Sequence, residues 1–208
     1  MLPPTIPIFP LPNVVLFPNV FLPLHIFETR YRQMVDEALT GDRIIGMVLL
    51  RPGWEGDYEG RPAVYPVGCA GVITHAERLA DGRFNIVLRG MEKFRITGEE
   101  SDKLYRLAHV ESVPEPPAER LRDAMREERR RLEALLVPQP EGPAERPVPT
   151  GMPDEDLVNA LAQYLEFDAV EKQALLERNG VLDRCRSLIE LLEMKVLVAR
   201  HKWEGDSH

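Results

Sequence analysis

The sequence predicts an α+β protein, a β-rich first part followed by a helical second part. Two observations predict it. Up to about residue 112 the chain is rich in β-branched residues, aromatics, Gly and Pro, and from about residue 118 it is rich in Leu, Ala, Glu and Arg. Within the first part, six or more short apolar runs are separated by turn residues, which suggests a small barrel or a highly twisted sheet. Strand and helix signals are thus segregated rather than alternating. The expected division is 1–117 for the β-rich part and 118–208 for the helical part, with a Pro-rich linker at 138–153.

Each element has its own signal. Residues 6–9 and 14–17 are apolar runs cut by Pro7, Pro10, Pro12 and Pro18. Proline gives no donor to a ladder, so edge or irregular strands are expected there. Residues 22–27 form another short apolar run. Phe27, Tyr31, Met34, Val35, Ala38 and Leu39 then recur at helical spacing, with Gly41 placed to end the helix. Residues 44–50 read as a buried strand, and residues 51–66 as a Gly/Pro-rich loop holding Trp54 and Tyr58. A strand over 67–74 contains Gly68 and Gly71, which fit a bulge or a close backbone approach. Asp81-Gly82 is the best hairpin signal. Phe84, Ile86 and Leu88, then Phe94 and Ile96, alternate with more polar positions as two half-buried strands. Residues 105–110 suggest one more strand.

The second part reads as helices. Leu121, Met125, Leu132, Leu135 and Leu136 make an apolar stripe broken by Glu128, and Glu127–Arg131 is a possible i,i+4 pair. Asp154 is placed to cap a helix carrying Leu157, Val158, Leu161, Tyr164 and Leu165. Asp168 with Glu171 has capping-box spacing, and Asn179-Gly180 ends that helix. The last helix carries Val181, Cys185, Leu188, Ile189, Leu192, Val196 and Ala199.

Bulk properties narrow the function. The chain has 208 residues, 44% hydrophobic and 29% charged, with a formal net charge of -8. Nucleic-acid binding draws most of its affinity from neutralising phosphates, so an acidic balance argues against it. Cys69 and Cys185 stand alone, as expected of reduced, buried thiols. No basic n-region opens the chain and no run approaches the ~20 apolar residues that span a bilayer. A cytoplasmic protein without membrane contact is expected.

Catalytic signatures are missing. No G-x-x-x-x-G-K-[ST] occurs and no glycine precedes a lysine, which excludes P-loop ATP hydrolysis. None of Ser101, Ser112, Ser187 and Ser207 lies in G-x-S-x-G. His25, His75, His109, His201 and His208 form no H-x-x-x-H, so no metal site and no cofactor are expected. His25, inside an apolar run, is expected in the core with its hydrogen bonds satisfied. Trp54 and Tyr58 are the candidate binding residues, because loop aromatics are favoured contacts; covering the end of the barrel is the alternative role for them.

Residues 6–18 (IPIFPLPNVVLFP), 22–28 (LPLHIFE) and 30–35 (RYRQMV) resemble the opening of the Lon N-terminal domain family, roughly PLFPLPxxVLFPGxxLPLHIFEPRYRxMV. Residues 67–73 (VGCAGVI), 81–90 (DGRFNIVLRG) and 94–96 (FRI) are similar to a second family stretch, and the late helices to its C-terminal part. The chain departs at Asn19, where the family usually has Gly, and at Thr29, where it often has Pro. Asn tolerates positive φ, so Asn19 is expected to keep the turn. The resemblance implies a PUA-like twisted β-barrel followed by a helical bundle. It further implies a non-catalytic module that binds unfolded or damaged proteins or peptides, without the ATPase and the Ser–Lys protease that follow this domain in full Lon proteases. Alternatives are a small-molecule or RNA-binding PUA-like module and, less favoured, an ATP-independent hydrolase. The tail Lys202–His208 reads as a natural terminus.

Overall fold

The computed structural model describes residues 2–57, 60–116, 121–136 and 151–205. Strands β1 (Thr5–Leu11), β2 (Phe21–Ile26), β3 (Ile44–Leu49), β4 (Val67–Arg78), β5 (Phe84–Glu100) and β6 (Arg106–Ser112) form one sheet in the order β2-β5-β4-β3-β1-β6. The helices among the described residues are α1 (Thr29–Thr40), α2 (Arg122–Leu136), α3 (Asp154–Tyr164), α4 (Ala169–Leu176) and α5 (Val181–Gly205). β1 runs parallel to β3, and the other neighbours are antiparallel, so the sheet is mixed. The α+β class is therefore the one observed.

β5 organises the sheet. Its first part pairs with β2 and β4, and its last residues pair with β6. The pairings β5-β4-β3-β1-β6 thus return to β5, and β2 lies outside this ring. Where the sequence suggested two strands there is one of 17 residues. Gly90 lets it continue, because a Cβ there would sit 2.0 Å from the Phe17 carbonyl oxygen. The expected irregularity near Gly71 is a register shift between Cys69 and Gly71.

Alternation along the strands turns Ile6, Ile8, Val48, Ala70, Phe94, Ala108 and Val110 into one buried cluster. The Phe94 ring fills the space over two glycines: Cζ is 2.7 Å from where a Cβ would stand at either Gly46 or Gly68. In α1, Tyr31, Met34, Val35 and Ala38 are buried, as the spacing predicts.

Three expectations are corrected. Residues 14–17 form no strand; Val15, Leu16 and Phe17 are buried as part of a covering loop. The following turn puts Asn19 at φ 62°, where its amide donates to the Gly90 carbonyl at 3.0 Å. The expected tolerance of Asn for that conformation is thus used. Phe27 lies outside α1 and is exposed. His25 is exposed as well, on the open face of β2.

The described residues fall into two compact units. One holds the sheet, α1 and Asn159–Glu177. In it, buried Asn159 donates to the Pro18 carbonyl at 3.1 Å, and buried Gln173 donates to the Val67 carbonyl at 2.9 Å. Buried amides of this kind satisfy backbone acceptors that would otherwise be stranded. The Asp168 amide donates to Glu171 Oε2 at 2.8 Å, as its spacing predicts.

The other unit holds α2, the start of α3, and α5. Met125, Leu132, Leu188 and Ile189 are buried in it. Arg184, fully buried, pairs with Glu115. Arg131 bonds Glu193 at 2.6 Å rather than Glu127, which instead takes Arg130 at 2.6 Å. Both cysteines are free and buried. Burial, with Glu128 and Asp154 nearby, pushes the Cys185 thiol up to about 12. Most of the expected linker at 138–153 lies outside the described residues.

Candidate functional site

Two features of the sheet unit present chemistry to a ligand. The first is the exposed face of β2. Successive side chains of a strand point to opposite faces, so Phe21, Pro23 and His25 share one face, and all three are exposed. Phe27 continues the row just beyond the strand. Phe21 is 51% exposed and Phe27 60%, unusual for phenylalanines in a folded domain. His25 and Phe27 stack with ring centroids 6.3 Å apart. Tyr164, also exposed, donates its hydroxyl to the Phe21 carbonyl at 2.9 Å.

His25 is fixed on both sides. It shares a 2.8 Å hydrogen bond between Nδ1 and Asn85 Oδ1, and Arg83 Nη1 approaches Nε2 at 3.2 Å. Because arginine only donates, Nε2 must accept, so the ring proton sits on Nδ1 and goes to Asn85. Arg83 is itself bound to Asp81 at 2.7 Å, which holds that carboxyl below its usual range.

β2 is the outermost strand of the sheet, but its free edge is blunted. Gly90 donates to the Val20 carbonyl at 2.9 Å. Counting on by twos turns the backbone groups of Leu22, Leu24 and Ile26 toward β5, and those of Phe21, Pro23 and His25 outward. Of these, Pro23 has no N–H and the Phe21 carbonyl already holds Tyr164. An added strand would find a broken ladder, the usual protection of an edge. Side chains, more than main chain, are what β2 offers.

The second feature is a cavity of about 260 Å³ beside the first turn of α1. It is lined by Pro10, Leu50, Gly60, Pro62, Leu104, Tyr31, Tyr105 and four cations, Arg30, Arg61, Lys103 and Arg106. Among the described residues no carboxylate lines it. The carboxylates that pair with these cations stand outside the lining: Glu28 with Arg30 at 3.0 Å, Glu37 with Lys103 at 2.8 Å, and Glu99 with Arg106 at 2.5 Å. Glu99 is also 3.9 Å from Arg61. Glu37 accepts from Lys103, from Tyr105 at 2.6 Å and from Gln33 at 2.8 Å, and these bonds lower its pKa to about 2. They tie α1 to the turn that leads into β6.

Trp54 opens a single 3-10 turn (Trp54–Asp57) and is partly buried. Tyr58 lies outside the described residues. Neither Trp54 nor the histidines join a metal-ligand set: among the described residues no cluster of three His, Cys, Asp or Glu suits a metal. No helix of the described residues is long and apolar enough to cross a membrane.

Comparison with known proteins places this architecture. Residues 5–194 match the family model described as the ATP-dependent protease La (LON) substrate-binding domain. The chain belongs to this family. Among curated LON relatives it is 33% identical over 187 residues to Lon protease 2 of Syntrophobacter fumaroxidans, covering 85% of this chain and 22% of that protein. It is 24% identical over 208 residues to Lon protease of Cytophaga hutchinsonii, covering 97% of this chain and 26% of that protein. The chain thus spans about a quarter of the length of such relatives. Two solved LON N-terminal domains share the fold. That of the Mycobacterium avium complex superposes with a TM-score of 0.66 at 17% identity, covering 91% of this chain and 98% of the other. That of Xanthomonas campestris gives 0.58 at 21% identity, covering 89% and 97%. The match is to the substrate-binding domain, not to ATPase or protease domains.

Sequence reasoning missed both features. The β2 row had a signal: Phe21, Pro23, His25 and Phe27 alternate with Leu22, Leu24 and Ile26. The cavity had none, because its cations come from three segments far apart in sequence, around Arg30, Arg61 and residues 103–106.

Proposed function

We propose that this LON substrate-binding domain acts as a non-catalytic module that binds unfolded or damaged protein segments, and that the exposed row of Phe21, Pro23 and Phe27 makes the contact. The observation that carries the proposal is the exposure of two phenylalanines, Phe21 on the edge strand β2 and Phe27 just beyond its end. Apolar patches on a soluble surface mark interaction sites, and rings deliver large contact area at little entropic cost. Such contacts read hydrophobicity rather than sequence, which suits unfolded chains. The family match supports a protein ligand, and the ring of strand pairings supports a PUA-like barrel beneath it. Trp54 and Tyr58 serve as secondary contacts, and the cytoplasm as the place of action.

The test is titration calorimetry with a reduced, carboxymethylated model protein. Wild type binds and folded lysozyme does not. Phe21→Ser with Phe27→Ser forfeits about 1 kcal/mol per half-exposed ring, roughly thirtyfold in Kd together. Unchanged affinity in the double variant removes β2 as the contact. No binding by the wild type removes the function.

A further inference from the structure

The cavity beside α1 has a chemistry that the apolar row does not need. We propose that it binds a free carboxylate bearing an adjacent apolar group, as presented by the last residue of a protein chain or by a small hydrophobic acid; the first source rests on the chain-binding function above.

Charge sets the class of anion. Among the described residues four cations line the cavity, and Glu99 is shared by Arg106, at 2.5 Å, and Arg61, at 3.9 Å, which makes Arg61 the most loosely paired of them. A carboxylate brings one negative charge, whereas a phosphate monoester brings about -1.5 to -2 at neutral pH. Donor geometry agrees. Arg61 uses one nitrogen, Nη1, which donates to the Glu100 carbonyl at 2.8 Å and lies 3.9 Å from Glu99. Its planar fork keeps further donors for a carboxylate. Lys103 spends one donor on Glu37.

Size and the remaining wall define the rest of the ligand. At about 260 Å³ the cavity lies just below the range of drug-sized sites, which matches one residue rather than a long segment. Pro10, Leu50 and Pro62 offer apolar surface beside the cations, and Leu104, 69% exposed, stands at the mouth. A carboxylate and an alkyl side chain on one Cα present both requirements together. Chain-terminal carboxylates are a known recognition mode for protein modules.

The experiment uses fluorescein-labelled apolar decapeptides ending in leucine, one as the free acid and one as the amide, read by fluorescence anisotropy on the full chain. N-acetyl-leucine is added separately and followed by amide chemical shifts at Leu104 and Tyr105. The acid is expected to bind about tenfold more tightly than the amide, the size of a charge-assisted pair. Arg61→Gln is expected to reduce the acid to the level of the amide. Leu104→Asp, an exposed change that the fold tolerates, is expected to do the same by placing a negative charge at the mouth. Equal affinity of acid and amide, with no shifts from N-acetyl-leucine, overturns the proposal while leaving chain binding at β2 intact. Shifts from N-acetyl-leucine with neither peptide bound sustain the cavity's chemistry, assign it to a small acid and remove the chain-binding function.

Discussion

Gly46→Ala tests whether Phe94 sets the size of the core. An alanine Cβ at position 46 would lie 2.7 Å from Phe94 Cζ and 2.9 Å from Ile6 Cδ1. Carbon atoms in contact prefer about 3.5–4.0 Å, so the overlap is about 1 Å on two fully buried side chains. Overpacking of that kind costs about 1–3 kcal/mol, and the entropic gain of Ala over Gly recovers about 0.5–1. The expected net loss is about 1–2 kcal/mol, read as a lower urea midpoint at unchanged slope by circular dichroism. Phe94→Leu alone loses ring contacts, but in the Gly46→Ala background it also removes the clash. The two losses should therefore fall short of their sum by about 1 kcal/mol. Gly68→Ala is the control, since its Cβ would also meet the Met47 carbonyl oxygen at 2.5 Å, which no change at Phe94 relieves. If Gly46→Ala and Phe94→Leu add within about 0.5 kcal/mol, the ring is not what confines position 46.

Three further outcomes are expected. Asn19, at φ 62°, should accept glycine with little change, whereas Asn19→Val should cost about 1–2 kcal/mol in the same urea assay. Asn159→Ala removes the donor to the Pro18 carbonyl in a fully buried position and should cost about 1–3 kcal/mol. The Glu37 carboxyl, held near pH 2 by Lys103 first and then Tyr105 and Gln33, should titrate in carboxyl-carbon NMR well below an ordinary glutamate, and Tyr105→Phe should move it upward. Because the folded value is depressed, the tie between α1 and the turn before β6 contributes above the unfolded glutamate pKa of 4.5. It is lost as pH falls from there toward about 2.

The legible parts of the fold are those where local chemistry and tertiary role agree. Asp168 with Glu171, the Asp81-Gly82 turn, the buried face of α1 and the turn at Asn19 each depend on neighbours a few residues away, and each stands where its residues place it. Apolar runs are less informative. Residues 14–17 are as hydrophobic as a strand but are buried by covering the sheet, and nothing local separates the two uses. The path of β5 through Gly90 depends on a close approach of Phe17, more than 70 residues away in sequence. Asn159, Gln163 and Gln173 are polar residues on helices, yet they are buried: Asn159 and Gln173 donate to the Pro18 and Val67 carbonyls, and Gln163 accepts from the Phe17 backbone N–H. The cavity is the extreme case: Arg30, Arg61 and the stretch from Lys103 to Arg106 meet only through the fold.

The placement of β1 has a consequence for how the domain is made. β1 lies between β3 and β6, with Thr5 opposite His109. In the order of synthesis β1 therefore waits for about a hundred residues before its second neighbour exists. Until then it offers an apolar, unpaired edge, and long-range closure of this sort is intrinsically slow. The domain thus passes, each time it is synthesised, through a state with the exposed apolar edge that the proposed function assigns to its ligands.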